Sequence, residues 1–111
     1  MTVNQNINVI ITDDLYNKED TYTQKIIDKG IKKLKDRLSQ YKQNNIADIY
    51  SDLVLIHYVV DGKYYVFKCC VNRVQIRLLY TYKNGDLTII SHQFKRKPGN
   101  DYIRYFEEVY G

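Results

Sequence analysis

Tryptophan is missing from this sequence, and proline and methionine occur once each. No linker, internal repeat or low-complexity tail is visible. The few glycines form no phosphate-cradling loop, and neither a nucleophile elbow nor a paired-acid motif is present. Nucleotide hydrolysis and acyl transfer therefore have no support. The two cysteines, Cys69 and Cys70, are neighbours. Adjacent strand residues point to opposite faces, so a bridge between them would strain the backbone. They are expected as free, buried thiols, and a disulfide scaffold is excluded. Without a second cysteine and histidine cluster there is no case for a zinc site, and no metal or cofactor is expected. No apolar run approaches the roughly 18 residues of a membrane span. The opening MTVNQNINVIITDD carries no basic leader before an apolar stretch, so the expectation is a cytoplasmic protein without a membrane partner.

What is present fits one domain spanning 1–111, with 44% hydrophobic and 27% charged residues. Tyrosine is abundant, at 12 residues. Together with many Ile, Asn and Lys it has the look of an AT-rich coding bias, which explains part of the excess. The net charge of +4 is unevenly spread. Residues 25–42 carry seven bases against two acids, and residues 63–97 carry eight against one. Residues 1–24, 43–62 and 98–111 are each net acidic. Two basic clusters on ordered elements are a footprint for a polyanion, RNA or DNA among them, although solvated basic faces produce the same pattern.

Hydrophobic spacing predicts a strand over 6–12 and a loop around Asp13, Asp14 and Asn17. Thr21 and Gln24 match a capping box. Ile27, Ile31, Leu34, Leu38 and Tyr41 then recur at helical spacing, so a long helix should run to about Lys42. Its opposite side carries Lys25, Lys29, Lys32, Lys33 and Arg37. Residues 53–60 and 63–71 read as strands buried on both faces, joined at Asp61-Gly62, and therefore central in a sheet. Asn72-Arg73 turns the chain into the next strand. Pro98, Gly99 and Asn100 end the sheet, and a short helix over 101–110 should dock through Tyr102, Tyr105, Phe106 and Val109. The fold class is α+β: an antiparallel meander of four to five strands, one long N-terminal helix on a face, and a short C-terminal helix.

Residues 74–97 form the clearest hairpin. Asn84-Gly85 suits a type I′ turn, which needs positive φ at both central residues. An unbroken register from that turn sets Lys83 opposite Asp86, Tyr80 opposite Ile89, Leu79 opposite Ile90 and Arg77 opposite His92. Arg73, Gln75, Arg77, His92, Phe94 and Arg96 would share one surface. Val74, Ile76, Leu78, Tyr80, Tyr82, Leu87 and Ile89 would form the core face. In that positive field His92 would be neutral, able to take a proton from a ribose hydroxyl while arginines hold the phosphate. The alternative is a strand histidine with no chemical role. His57, in an apolar strand, reads as a hydrogen-bonded core residue. Phe94 and one of Tyr64 or Tyr65 are candidates to stack on bases, or to fill the core beneath the helix. Lys95, Arg96 and Lys97 would bind backbone phosphate or solubilise a strand end.

Residues 76–97, IRLLYTYKNGDLTIISHQFKRK, resemble the C-terminal strands of the RelE/ParE toxin superfamily, especially its HigB-like branch. The shared features are an arginine-led strand at Arg77, the Asn84-Gly85 turn, an apolar strand, then His92, Phe94 and Lys95 to Lys97. The resemblance implies a ribosome-dependent mRNA endonuclease, paired with an antitoxin protein. It would place Arg77 on phosphate, His92 as acid/base and Lys95, Arg96 and Lys97 on RNA. A second reading needs no catalysis: a small basic protein of a virus or mobile element that occupies nucleic acid or a host protein. It would use Arg73, Phe94, Lys25, Lys29, Lys32 and Lys33, either alone or as a homodimer joined through a sheet edge.

Overall fold

Two tight turns set the sheet. Asn72 and Arg73 have φ of 50° and 68°, and Asn84 and Gly85 have 53° and 80°. Paired positive φ is what a two-residue hairpin with the natural strand twist requires. The computed structural model describes residues 7–41, 45, 46, 60, 62–94 and 102–110. Among them the turns join β2 (Tyr65–Val71), β3 (Val74–Lys83) and β4 (Asp86–Phe94) into an antiparallel meander. The first strand, β1 (Asn8–Ile11), lies beside β4, giving the order β1-β4-β3-β2. It runs parallel to β4, with Asn8 opposite Asp86 and Ile11 opposite Ile89. The sheet is thus mixed, not purely antiparallel. A strand followed by a helix crosses over before it can re-enter beside a parallel neighbour, and β1 is followed by α1 (Thr21–Leu38). Among the described strands β2 ends the sheet; of residues 53–60, read as its partner strand, only Val60 is described, bridged to Tyr64, and His57 lies outside the described residues.

Helix α1 has 18 residues and is shorter than its periodicity implied. Its cap is Asp20, not Thr21: the Asp20 carboxylate accepts from the Thr23 backbone N–H at 2.7 Å. Gln24 instead donates to the Tyr16 and Glu19 carbonyls, tying the helix to the turn before it. At the other end Ser39 caps the helix, its hydroxyl donating to the Asp36 carbonyl. Tyr41 still packs against the core beyond the helix end.

Ile26, Ile27, Ile31, Leu34 and Leu38 bury one face of α1 against Phe67, Ile76, Leu78, Tyr80, Tyr82, Leu87 and Ile89. A second cluster gathers Val60, Val66, Leu79 and Phe106, with Tyr64, Ile90, Tyr105 and Tyr110 against it. Because strand side chains alternate, Leu79 and Val66 point away from α1. The C-terminal helix, α2 (Tyr102–Tyr110), therefore covers the opposite face through Phe106. Val109, expected to dock it, is exposed. Both cysteines are free, as expected, but Cys69 is only half-buried and Cys70 is exposed. Burial pushes the Cys69 thiol up to about 11, which keeps it protonated.

The hairpin register holds from Lys83–Asp86 through Tyr80–Ile89 and then slips. Leu79 faces Ser91, Leu78 faces His92, and Arg77 faces Gln93. Ile90 is the extra residue of a β-bulge. One inserted residue exchanges the faces of everything beyond it. The bulge lets Ile89 join the helix-side core while Ile90 joins the cluster around Phe106.

Gly30 lies where α1 crosses β2 and β3. A Cβ there would meet Ile76 Cγ2 at 3.3 Å and Cys69 Sγ at 3.5 Å. A Gly30→Leu variant should lose about 1–3 kcal/mol of stability through overpacking, despite the better helix propensity of leucine. Urea unfolding reads this as a lower midpoint; an unchanged midpoint would show that the helix stands further from the sheet.

Candidate functional site

The bulge determines where each candidate residue ends up. His92 and Arg77, expected side by side, occupy opposite faces of the sheet. Arg77 is 4% exposed, on the face away from α1, beside Lys68 and Gln93 in the register. Its Nη2 donates to Gln75 Oε1 at 3.5 Å. His92 faces the α1 side and is 5% exposed. Phe94 follows it there, half-buried against the core, its ring edge-on to the imidazole at 5.4 Å. Neither Phe94 nor His92 shares a surface with Arg77. Lys95, Arg96 and Lys97 lie outside the described residues.

The positive field expected around His92 is replaced by two carboxylates. His92 Nδ1 is hydrogen-bonded to Asp13 Oδ2, and Nε2 lies 3.3 Å from Glu19 Oε1. Local backbone chemistry places both acids. Strand β1 stays with β4 only as far as Ile11 opposite Ile89. Thr12 then anchors the exit, its N–H and its hydroxyl both donating to the Ile89 carbonyl. Asp13 turns the chain: its Oδ1 accepts from the Leu15 N–H at 2.9 Å and its carbonyl accepts from Tyr16. The second carboxylate oxygen is thereby aimed at His92, just past the bulge. Glu19 comes from the segment between the 3-10 turn (Tyr16–Lys18) and the Asp20 cap.

Burial works against a charged imidazole. The hydrogen bond and charge of Asp13, and then those of Glu19, outweigh it, and the His92 pKa is raised above the ordinary 6.5. Both ring N–H groups of the imidazolium then donate to carboxylates. The trio ties β4, the β1 exit and the start of α1 together. With each nitrogen facing an acid and the ring buried, the arrangement serves packing better than proton exchange with a substrate. Among the described residues no group of acids, histidines and cysteines is arranged to hold a metal ion.

The second site is on the surface. Lys25, Lys29, Lys32 and Lys33 follow one another at helical spacing along the exposed side of α1. Lys33 Nζ donates to the Cys70 carbonyl at 3.0 Å, fastening this side of the helix to the end of β2. A cleft of about 250 Å³ results, with Lys29, Lys32, Lys33 and Asp36 on one wall and Cys70 and Asn72 on the other. Arg73, exposed in the turn next to Asn72, extends the positive rim. Of the acids on α1, Asp28 is engaged by the Tyr16 hydroxyl at 2.6 Å. The lysines of α1 thus lie beside Arg73 of the β2–β3 turn, a neighbourhood that charge counting alone did not reveal.

No family model, curated protein or solved structure matches this chain. No helix among the described residues is long and apolar enough to cross a membrane.

Because the folded-state pKa of His92 lies above its unfolded value, the stability it supplies is complete below about pH 6.5 and is lost as pH rises through the folded value. Asp13→Asn keeps the Leu15 turn but removes the charged partner. It should cost on the order of 3 kcal/mol at pH 6, the usual penalty for orphaning one member of a buried pair, and less at pH 9. Urea midpoints at the two pH values measure both figures; a gap that does not narrow with pH would mean that His92 is uncharged in the folded protein.

Proposed function

We propose that this protein is a small cytoplasmic binding protein, of the kind carried by viruses and mobile elements, that engages nucleic acid without catalysis. The observation that carries this reading is the row of exposed lysines on α1, three of which line the cleft beside the β2–β3 turn, with Arg73 exposed next to it. Phosphate contacts supply most of the affinity of such a surface, and lysines act as point charges along a backbone. Of the four acids of residues 1–24, three are engaged within the fold: Asp13 and Glu19 are turned to His92, and Asp20 caps the helix.

The RNA-cleaving toxin reading requires an imidazole and a guanidinium on one accessible surface. His92 and Arg77 are buried on opposite faces, so that reading loses the geometry it depended on. A homodimer through a sheet edge is compatible with binding along α1 and would double the basic surface.

Lys25, Lys29 and Lys32 can be changed together to glutamine without touching the Lys33 bond to β2. Fluorescence anisotropy with a labelled single-stranded oligonucleotide should show a salt dependence whose slope falls by about two in this triple variant, at about 0.7 per phosphate contact. The RNA should stay intact throughout. Equal slopes in parent and variant, or cleavage by the purified parent, would contradict the proposal.

A further inference from the structure

A larger cleft, of about 590 Å³, opens at the other end of β2. Tyr64, Tyr65 and Tyr82 line it, together with Lys63, Lys83 and Thr81. Its size lies within the roughly 300–1,000 Å³ typical of ligand sites. Tyr82 is fully buried. The other two rings are half-buried and held from behind. Tyr64 packs with the cluster around Phe106 and stands edge-on to Tyr110 at 6.5 Å. Tyr65 packs with the helix-side core and lies against Tyr80 at 6.1 Å. Rings fixed in this way lose little freedom when a planar group stacks on them. Lys63 and Lys83 are both exposed at the rim.

The combination narrows the class of ligand. A bare polyanion has no use for aromatic walls, and an apolar peptide has none for paired lysines. A nucleobase with its flanking phosphates uses both. Strand β2 has seven residues, which at about 3.3 Å each puts the two clefts roughly 20 Å apart. A few nucleotides of single strand span that distance.

We propose that the tyrosine-lined cleft is a base-stacking subsite for single-stranded nucleic acid, with Lys63 and Lys83 on the adjacent phosphates and the lysine cleft of α1 holding the backbone further along. The inference rests on the nucleic-acid reading above and adds to it a requirement for bases. A duplex, whose bases are already stacked, gains nothing from this subsite.

The test compares a short oligothymidylate with an abasic strand of the same length and charge, by anisotropy at fixed salt. The parent should bind the oligothymidylate about tenfold or more tightly than the abasic strand. Tyr65→Ala should remove most of that preference, and Tyr65→Phe, which keeps the ring, should retain it. Equal affinity of the parent for the two strands overturns the stacking subsite while leaving the lysine cleft intact, because phosphate contacts alone produce that result. Absence of binding to either strand overturns both proposals. The comparison of strands needs no variant, so a folding defect in Tyr65→Ala cannot obscure it.

Discussion

One inserted residue in β4 governs which side of the sheet carries chemistry. Up to Ile89 the hairpin follows its turn; at Ile90 the strand takes an extra step, and Ser91 takes the place opposite Leu79. Everything after that point has exchanged faces. His92 is carried toward α1, where Asp13 and Glu19 receive it, and Gln93 takes the place beside Arg77 that His92 would otherwise have held. The bulge coincides with the place where β1 leaves β4, since Thr12 spends both its donors on the Ile89 carbonyl. Losing a ladder partner and gaining an ionic one therefore occur within a few residues, and the interior closes around a charged trio in place of a further strand pair.

The same arrangement explains how a basic protein keeps its positive charge outward. Three of the four acids of the N-terminal stretch are occupied within the fold, Asp13 and Glu19 holding His92 and Asp20 capping α1, and on α1 itself Asp28 takes the Tyr16 hydroxyl. The lysines of α1 face solvent, and Lys33 clips them to the end of β2. Charge pairing inside and charge accumulation outside are thus two results of one folding pattern. The helix-side core fixes their relative placement, because α1 can only approach β2 and β3 this closely where Gly30 meets Ile76 and Cys69.

Much of this was legible in the residues. Asn84-Gly85 announced its turn, Asn72-Arg73 proved to be a second of the same kind, and the apolar spacing of Ile27, Ile31, Leu34 and Leu38 marked the buried face of α1. Local chemistry suffices for such features. The parallel placement of β1 was not legible, because nothing in a four-residue strand names its neighbour. The bulge was also missed, since it carries no glycine. Its trace is the change of parity from Leu87 and Ile89 to His92 and Phe94, with Ile90 and Ser91 between them; only the demand of two opposed cores makes that pattern meaningful. The carboxylates around His92 lie 73 and 79 positions away in the chain, beyond the reach of any local rule. The net acidity of residues 1–24 was the available hint that something basic or protonated awaited them.

The central claim is a division of labour: His92 serves the interior, and the lysine face of α1 meets the ligand. Nitrogen-15 NMR of the imidazole and of the lysine side chains, followed while a single-stranded oligonucleotide is added at pH 6, tests it most directly. The account predicts an imidazole protonated at both nitrogens whose signals stay still while those of Lys25, Lys29 and Lys32 move. A His92 that shifts with the nucleic acid while those lysines stay unmoved would contradict it.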